Sequence, residues 1–222
     1  KLRAEFDAVV AVTGAHVTCR VDGTVRGLNT TLVVRAGQVL ELTTPTWGLR
    51  SYLAVRGGID VPAVLGSRST DTMSGLGPAA LSAGDVVAVG NGSGEWPAAD
   101  FVPPPSSRAT LHVTFGPREN WFTEHARSLL LEQPWTVTPD TDRVGIRLDG
   151  SEPLARAIDS ELASEGMVLG SLQVPPSGQP VLFLADHPVT GGYPVIAVVT
   201  AADVSAAAQL TPGSRIRFRA VG

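Results

Sequence analysis

The chain has 222 residues, of which 43% are apolar and 17% are charged, and its net charge is −4 at pH 7. This composition excludes a disordered chain, and no apolar run approaches the roughly 18 residues that a membrane-spanning helix needs. Because the basic residues are scattered through an acidic chain, we expect neither a nucleic acid nor a membrane surface as a partner. Cys19 is the single cysteine and cannot form an internal disulfide, which favours a cytoplasmic protein.

The 24 glycines and 17 prolines separate short apolar segments, a pattern typical of all-β folds. We predict strands in the first half of the chain at residues 9–13, 17–21, 32–35, 39–42, 52–55 and 86–89. Within the second of these, Val17, Cys19 and Val21 alternate with polar residues, as in a strand with one buried face. The first half of the chain is therefore predicted to consist of sheets.

The proline-rich segment 103–108 is predicted to be a linker, because consecutive prolines extend neither a helix nor a sheet ladder. It divides the chain into a first domain, 1–102, and a second domain, 109–222. Lys1 stands where an initiator methionine would be, so we also expect that further residues lie upstream of the first domain.

The second domain is predicted to combine strands with short helices. Strands are expected at 110–115, 181–184, 195–199 and 215–221, and helices at 119–131, 154–164 and 202–210. Pro134, Gly166 and Pro212 follow the three helical segments and would end them. The predicted fold class is therefore mostly β with a few short helices.

Self-contained catalytic motifs are missing from the sequence. The four histidines lack the helical spacing and the neighbouring carboxylates of a zinc site, so we expect no metal. The glycine-rich run 90–94 resembles a phosphate loop, but no lysine follows it, and we interpret it as a turn. Of the 17 basic residues only Lys1 is a lysine, so we expect no covalently attached biotin on this chain.

A first polar stretch follows the strand predicted at 52–55. Paired glycines after a strand allow a ligand to approach the backbone, and a loop with serines and an arginine offers donors to a carboxylate or phosphate. The candidate substrate-binding residues here are Arg56, Gly57, Gly58, Ser67, Arg68 and Ser69. The alternative is a tight turn in which Arg68 pairs with Asp60 or Asp71.

A second stretch places Asp142 beside Arg143 in a predicted turn. The guanidinium of Arg143 is a candidate to bind a substrate carboxylate, and Asp142 is a candidate catalytic carboxylate. The alternative is a solvated turn that leads into an edge strand.

A third stretch surrounds the strand predicted at 181–184. That strand delivers Asp186 and His187 into a loop, where they are candidates for a proton-transfer pair. The candidate substrate-binding residues are Gln173, Thr190, Gly191, Gly192 and Tyr193. The alternative is a hairpin turn in which Asp186 caps backbone amides.

Taken in order, these stretches resemble the signature segments of the allophanate hydrolase subunit 2 family, which also contains the C subunit of 5-oxoprolinase. The matching segments are 51–62 (SYLAVRGGIDVP), 65–70 (LGSRST), 142–143 (DR), 173–176 (QVPP) and 190–194 (TGGYP). The resemblance implies a fold of two cyclophilin-like β-barrel domains.

The resemblance also implies a function, namely that of one component in a heteromeric enzyme that hydrolyses amides or lactams. The implied reaction is ATP-dependent opening of 5-oxoproline to glutamate, with ATP used at the level of the complex. The implied partner is an allophanate hydrolase subunit 1-like (KipI-like) chain, in a heterodimer or heterotetramer. Two alternatives stay open: a biotin-dependent carboxyltransferase component related to urea carboxylase, and a regulatory binding module that partners a kinase inhibitor.

Overall fold

Residues 1–92, 96, 101–103 and 109–221 are described in the structure, which is a computed structural model. The chain divides into two compact units, Lys1–Pro104 and Pro105–Gly222. Most of the linker predicted at 103–108 lies outside the described residues, so its conformation stays a prediction.

Two antiparallel sheets form the first unit. Its strands are β1 (Leu2–Arg3), β2 (Ala8–His16), β3 (Cys19–Val21), β4 (Thr24–Arg26), β5 (Thr31–Val34), β6 (Val39–Leu42) and β7 (Trp47–Val55). One sheet has the order β1-β6-β3-β4 and the other β5-β2-β7, where a single barrel was expected. The predicted alternation is confirmed, since Val17, Cys19 and Val21 are all buried. Apolar side chains from both sheets fill one core.

The strand predicted at 86–89 is not formed, and that prediction was wrong. Only Val89 makes a bridge, to Ile59, and the amide of Asp60 donates to the carbonyl of Ala88 at 2.8 Å. A strand needs a partner along its length, and Val86 is instead 79% exposed. Apolar residues in sequence were therefore not sufficient evidence for a strand here.

A closed seven-stranded barrel forms the second unit, with the strand order β10-β13-β12-β15-β8-β16-β9. The strands of this unit are β8 (Thr110–Phe115), β9 (Trp135–Val137), β10 (Gly145–Asp149), β11 (Glu165–Gly166), β12 (Ser171–Gln173), β13 (Val181–Phe183), β14 (Thr190–Gly191), β15 (Val195–Val199) and β16 (Arg215–Ala220). Strands β11 and β14 pair with each other as a short ribbon. Alternate residues of the barrel strands, such as Leu111 and Val113, are fully buried inside it. The prediction of a mostly β fold is confirmed.

The helix predicted at 119–131 is present in two parts. A 3-10 turn at Glu119–Trp121 is followed by α1 (Glu124–Glu132), and the extended Phe122 separates them. Helix α1 begins at Thr123, whose hydroxyl accepts the amide of Ala126 at 3.1 Å. The last predicted helix is α2 (Ala201–Ala207). Among the described residues, neither helix is long and apolar enough to cross a membrane.

The helix predicted at 154–164 is not formed, and that prediction was also wrong. The segment lies alongside the 3-10 turn and makes its hydrogen bonds across to it. The amide of Thr123 donates to the carbonyl of Ala155 at 3.2 Å, and the amide of Ala157 donates to Trp121 at 2.8 Å. Because these groups bond to another segment, they do not form the i to i−4 bonds of a helix.

Candidate functional site

A cavity of about 910 Å³ lies in the second unit. Its walls come from residues 153–156, 159–162, 175–178 and 192–193. Its volume is at the upper end of the roughly 300–1,000 Å³ that small-molecule sites have. The cavity is thus large enough for a small substrate together with a second reactant.

Backbone hydrogen bonds join the walls of the cavity to one another. The amide of Leu154 donates to the carbonyl of Gly178 at 2.9 Å, and the amide of Val174 donates to the carbonyl of Pro194 at 3.0 Å. Residues 175–178 form a turn in which the amide of Gly178 bonds back to the carbonyl of Pro175. A shift in one of these walls would therefore be transmitted to its neighbour.

Arg156 provides positive charge in this cavity. One of its terminal nitrogens, Nη2, donates to the carbonyl of Val174 at 2.8 Å, and its guanidinium carbon lies 5.8 Å from the ring centre of Tyr193. Its Nε is buried without a hydrogen-bond partner, and no carboxylate of the described residues forms an ion pair with it. Arg156 lines the cavity, and a planar guanidinium is suited to a ligand carboxylate or carbonyl. The buried Nε has no accessible surface, so it does not reach a ligand there.

Sequence reasoning missed Arg156. The residue lies in the segment for which a helix was predicted, and an arginine in a surface helix usually faces solvent. Its place in the cavity depends on the contacts of residues 155–157 with the 3-10 turn, which are not visible in the sequence. No motif signal in the sequence would have identified it.

Two predicted site residues line this cavity, and both belong to the third stretch. Gly192 and Tyr193 line it. Gln173 is buried behind them, and its Nε2 donates to the backbone carbonyl of Tyr193 at 3.2 Å. Thr190 and Gly191 lie just before them in strand β14. These five residues are therefore brought together, with Gln173 supporting the wall.

Asp186 and His187, which were predicted for proton transfer, follow strand β13 in the chain, whereas the cavity wall at 175–178 precedes that strand. Asp186 accepts a hydrogen bond from the Nε of Arg143 at 2.6 Å, and its own amide donates to the carbonyl of Arg143. The carboxylate of Asp142 accepts the amides of Val144 and Gly145 at 2.8 and 3.1 Å.

His187 directly follows Asp186 in the loop after strand β13. Its Nδ1 lies 2.8 Å from the carbonyl of Pro188, and its ring stacks on Phe183 with 6.2 Å between the centres. The imidazole thus makes its described contacts with its own loop and with the end of strand β13. Asp186 is bonded to Arg143, where the alternative interpretation expected a cap on backbone amides.

In the first unit, the predicted ligand-binding residues make contacts within the chain. The Nε of Arg56 donates to the carbonyl of Gly92 at 3.2 Å, and its guanidinium lies 4.7 Å from the ring of Trp96. Gly57 has a φ of +97°, and a Cβ placed on it would lie 2.0 Å from the carbonyl oxygen of Gly90. The amide of Gly90 in turn donates to the carbonyl of Gly58. The space beside Gly57 and Gly58, which was predicted to admit a ligand, is occupied by Gly90 of the same chain.

The serine and arginine loop of the first unit is a tight turn. The amides of Ser67 and Ser69 donate to the carbonyl of Val64 at 3.0 Å and to the Ser67 hydroxyl at 3.1 Å. The Nε of Arg68 donates to a backbone carbonyl, and its Nη2 lies 3.8 Å from the carboxylate of Asp60. Both side chains of that pair are more than half exposed, so the pair contributes little to stability.

Neither a metal cluster nor a reactive thiol is found in the described part of the chain. No three His, Cys, Asp or Glu side chains there are grouped as for a metal ion. The buried Cys19 has a thiol whose pKa is raised by that burial. A raised pKa keeps the thiol protonated, which makes it a poor nucleophile.

Comparison with known proteins identifies relatives along the whole chain. Residues 1–220 match the family described as carboxyltransferase domain, subdomain A and B. The chain is 37% identical over 217 residues to the C subunit of 5-oxoprolinase from Escherichia coli (strain K12), covering 96% of this chain and 70% of that protein. It is 34% identical to the C subunit of 5-oxoprolinase from Haemophilus influenzae, covering 99% of this chain and 72% of that protein.

A solved structure with a similar fold is that of the urea carboxylase of Kluyveromyces lactis. The TM-score is 0.86 at 30% sequence identity, and the match covers 98% of this chain. The chain spans only 22% of the length of that protein. The similarity thus concerns one portion of a longer enzyme.

Proposed function

Because this chain belongs to the family of carboxyltransferase domains, subdomains A and B, we propose that it is the substrate-holding subunit of an enzyme that hydrolyses amides or lactams. The relatives in E. coli and H. influenzae are named as subunits of 5-oxoprolinase, so the substrate we propose is 5-oxoproline, which is opened to glutamate. Arg156 carries this proposal, because it lines the cavity as a positively charged side chain that has no ion-pair partner among the described residues.

In the proposed complex, Arg156 binds the carboxylate of 5-oxoproline and the ring of Tyr193 packs against the same guanidinium. The substrate is small compared with a cavity of about 910 Å³. The remaining space is available to a second reactant or to a residue of a partner protein. The partner that we propose is an allophanate hydrolase subunit 1-like chain.

A lactam is a poor electrophile, so coupling of its hydrolysis to ATP is chemically sensible. Within the described part of the glycine-rich run, residues 90–92, two backbone groups are already bonded within the chain. In the glycine-rich run, the amide of Gly90 already donates to Gly58, and the carbonyl of Gly92 accepts from Arg56. We therefore propose that ATP binds to another subunit of the complex.

Reconstitution tests the proposed function. The chain is mixed with its subunit 1-like partner, the subunit proposed to bind ATP, 5-oxoproline and ATP, and glutamate is measured over time. We expect glutamate only when this chain is present. A complete mixture that forms no glutamate, under conditions where the same assay detects the E. coli enzyme, would contradict the proposal.

Biotin-dependent carboxyl transfer is the second candidate, and the fold similarity to urea carboxylase favours it. In this candidate, biotin is carried by another protein, because Lys1 is the only lysine of these 222 residues and stands at their first position. The test supplies urea, labelled bicarbonate, ATP, a biotin carboxylase and a biotinylated carrier protein, so that carboxylated biotin is formed with release of ADP and phosphate, and measures label transferred to urea. Label in the product only when the carrier is present would favour this candidate over lactam hydrolysis.

Replacing Asp186 with asparagine is expected to change kcat less than about threefold, because in this proposal the Arg143–Asp186 pair shapes a loop away from the substrate. The side chains of the pair are 51% and 32% exposed, so the free energy of unfolding should fall by about 1 kcal/mol or less. Initial rates and urea unfolding measure the two effects. Loss of a proton-transfer group would instead lower kcat roughly 10²- to 10⁴-fold. Arg143→Gln serves as the matched control and should behave like Asp186→Asn.

A further inference from the structure

Near the cavity, an ion pair joins two segments that are distant in sequence. The Nε of Arg118 lies 3.0 Å from each carboxylate oxygen of Glu165, and its Nη2 also bonds to that carboxylate. The two side chains are 36% and 30% exposed, so the pair is partly shielded from water. The hydrogen bonds from Arg118 hold the pKa of Glu165 below its usual value, so the carboxylate is ionised at neutral pH. A bidentate pair of this kind fixes orientation as well as distance.

Glu165 belongs to the ribbon that carries the cavity wall. It pairs with Gly191 across strands β11 and β14, and the amide of Met167 donates to the carbonyl of Val189 at 2.9 Å. Strand β14 leads directly to Gly192 and Tyr193, which line the cavity. Arg118 is thus connected through Glu165 to the wall that faces the ligand.

Residues 159–164, which we call the strap, form the neighbouring wall of the cavity. Four of them, residues 159–162, line the cavity, and most of the strap is exposed. Within the described part of the chain, no residue of the strap makes a hydrogen bond or an ion pair. The hydrogen bonds and ion pairs that hold the strap therefore lie at its two ends.

Both ends of the strap are tied to the same 3-10 turn. On one side, the amide of Ala157 donates to the carbonyl of Trp121 at 2.8 Å. On the other side, Glu165 directly follows the strap and bonds to Arg118, the residue that precedes the turn. Loss of the Arg118–Glu165 pair would leave that end attached through the β11–β14 ribbon alone, while the other end stayed bonded to the 3-10 turn.

We propose that Arg118 and Glu165 are positioning residues, whose ion pair holds the strap and strand β14 in the arrangement that binds substrate in the cavity. The inference rests on the proposed function for the identity of the ligand. Neither residue lines the cavity, so they act through the two walls and do not touch the substrate. A role of this kind changes substrate binding more than the rate of the chemical step.

The test uses Arg118→Gln and Glu165→Gln in the assembled enzyme, with Arg219→Gln as the control, since Arg219 is an exposed arginine of barrel strand β16. Hydrogen exchange is measured on peptides covering 165–167 and 189–193, and KM and kcat are measured with 5-oxoproline. We expect exchange roughly tenfold faster in those peptides, KM raised roughly tenfold and kcat within about twofold. The charge-swapped double variant Arg118→Glu with Glu165→Arg should recover part of both losses.

The exchange measurement needs no ligand, so it separates this proposal from the proposed function. If the exchange rates and KM of the Arg118→Gln and Glu165→Gln variants equal those of the Arg219→Gln control, the inference is overturned. Faster exchange with an unchanged KM would also overturn it, because the walls would then be loosened without any effect on binding. If the wild-type complex forms no glutamate, the proposed function fails. The exchange measurement then still decides the positioning role of the ion pair. Unchanged exchange in the variants would overturn that role, and faster exchange would support it.

Discussion

Arg156→Gln is expected to lower kcat/KM for 5-oxoproline roughly 10- to 150-fold, mainly through a higher KM. Hydrogen bonds to charged groups contribute about 1.5–3 kcal/mol, and about 1.4 kcal/mol corresponds to a factor of ten. Arg156 lines the cavity, and the N–H groups assigned to the substrate carboxylate are those of its guanidinium that neither bond to Val174 nor belong to the buried Nε. Initial rates of glutamate release by the assembled enzyme give both constants.

Two further variants make the result for Arg156 interpretable. Arg156→Lys keeps the charge but loses the planar donor geometry, so an intermediate loss is expected. Arg219→Gln removes an exposed arginine far along the sequence and should leave both constants unchanged. A kcat/KM for Arg156→Gln within about threefold of wild type would show that the substrate carboxylate is bound elsewhere.

Of the seven barrel strands, β8, β13, β15 and β16 were predicted, whereas β9, β10 and β12 were missed. In strand β8 (Thr110–Phe115), Leu111 and Val113 fill the barrel while their neighbours face outwards, and the predicted bounds are the observed ones. Strand β15 (Val195–Val199) was predicted with the same success because it is a short β-branched run. Binary patterns of this kind are local, and so the sequence alone reveals them.

The segment 154–164 was not predictable, because its structure depends on contacts with a distant segment and not on a local pattern. Its leucine, alanine and glutamate residues favour a helix locally, but its backbone groups bond to the 3-10 turn more than thirty residues earlier. That tertiary pairing turns Arg156 into the cavity and leaves the strap without hydrogen bonds of its own. Because a helix was predicted for this segment, the cavity that the segment lines was not predicted either.

The candidate site was predictable only in part. The family resemblance indicated Gln173 and the wall of Gly192 and Tyr193, and these do meet. Arg118 and Glu165 were missed because they are 47 positions apart and neither belongs to a recognisable motif. Ion pairs between distant segments depend on the register of the strands that carry them, which no local pattern specifies.

Gly178→Ala is expected to lower the free energy of unfolding by about 2–5 kcal/mol and to raise KM for 5-oxoproline. Gly178 has a φ of +74°, where an alanine costs about 1–2 kcal/mol, and a Cβ there would lie 2.6 Å from the Cβ of Pro153. Overpacking of this degree costs about 1–3 kcal/mol more. The wall at 153–156 must then move, and it carries Arg156. Gly213→Ala is the matched control, since Gly213 has a φ of +84° with nothing within 4 Å of the added carbon. Urea unfolding of both variants should show the larger loss for Gly178→Ala, and equal losses would mean that the contact with Pro153 does not exist.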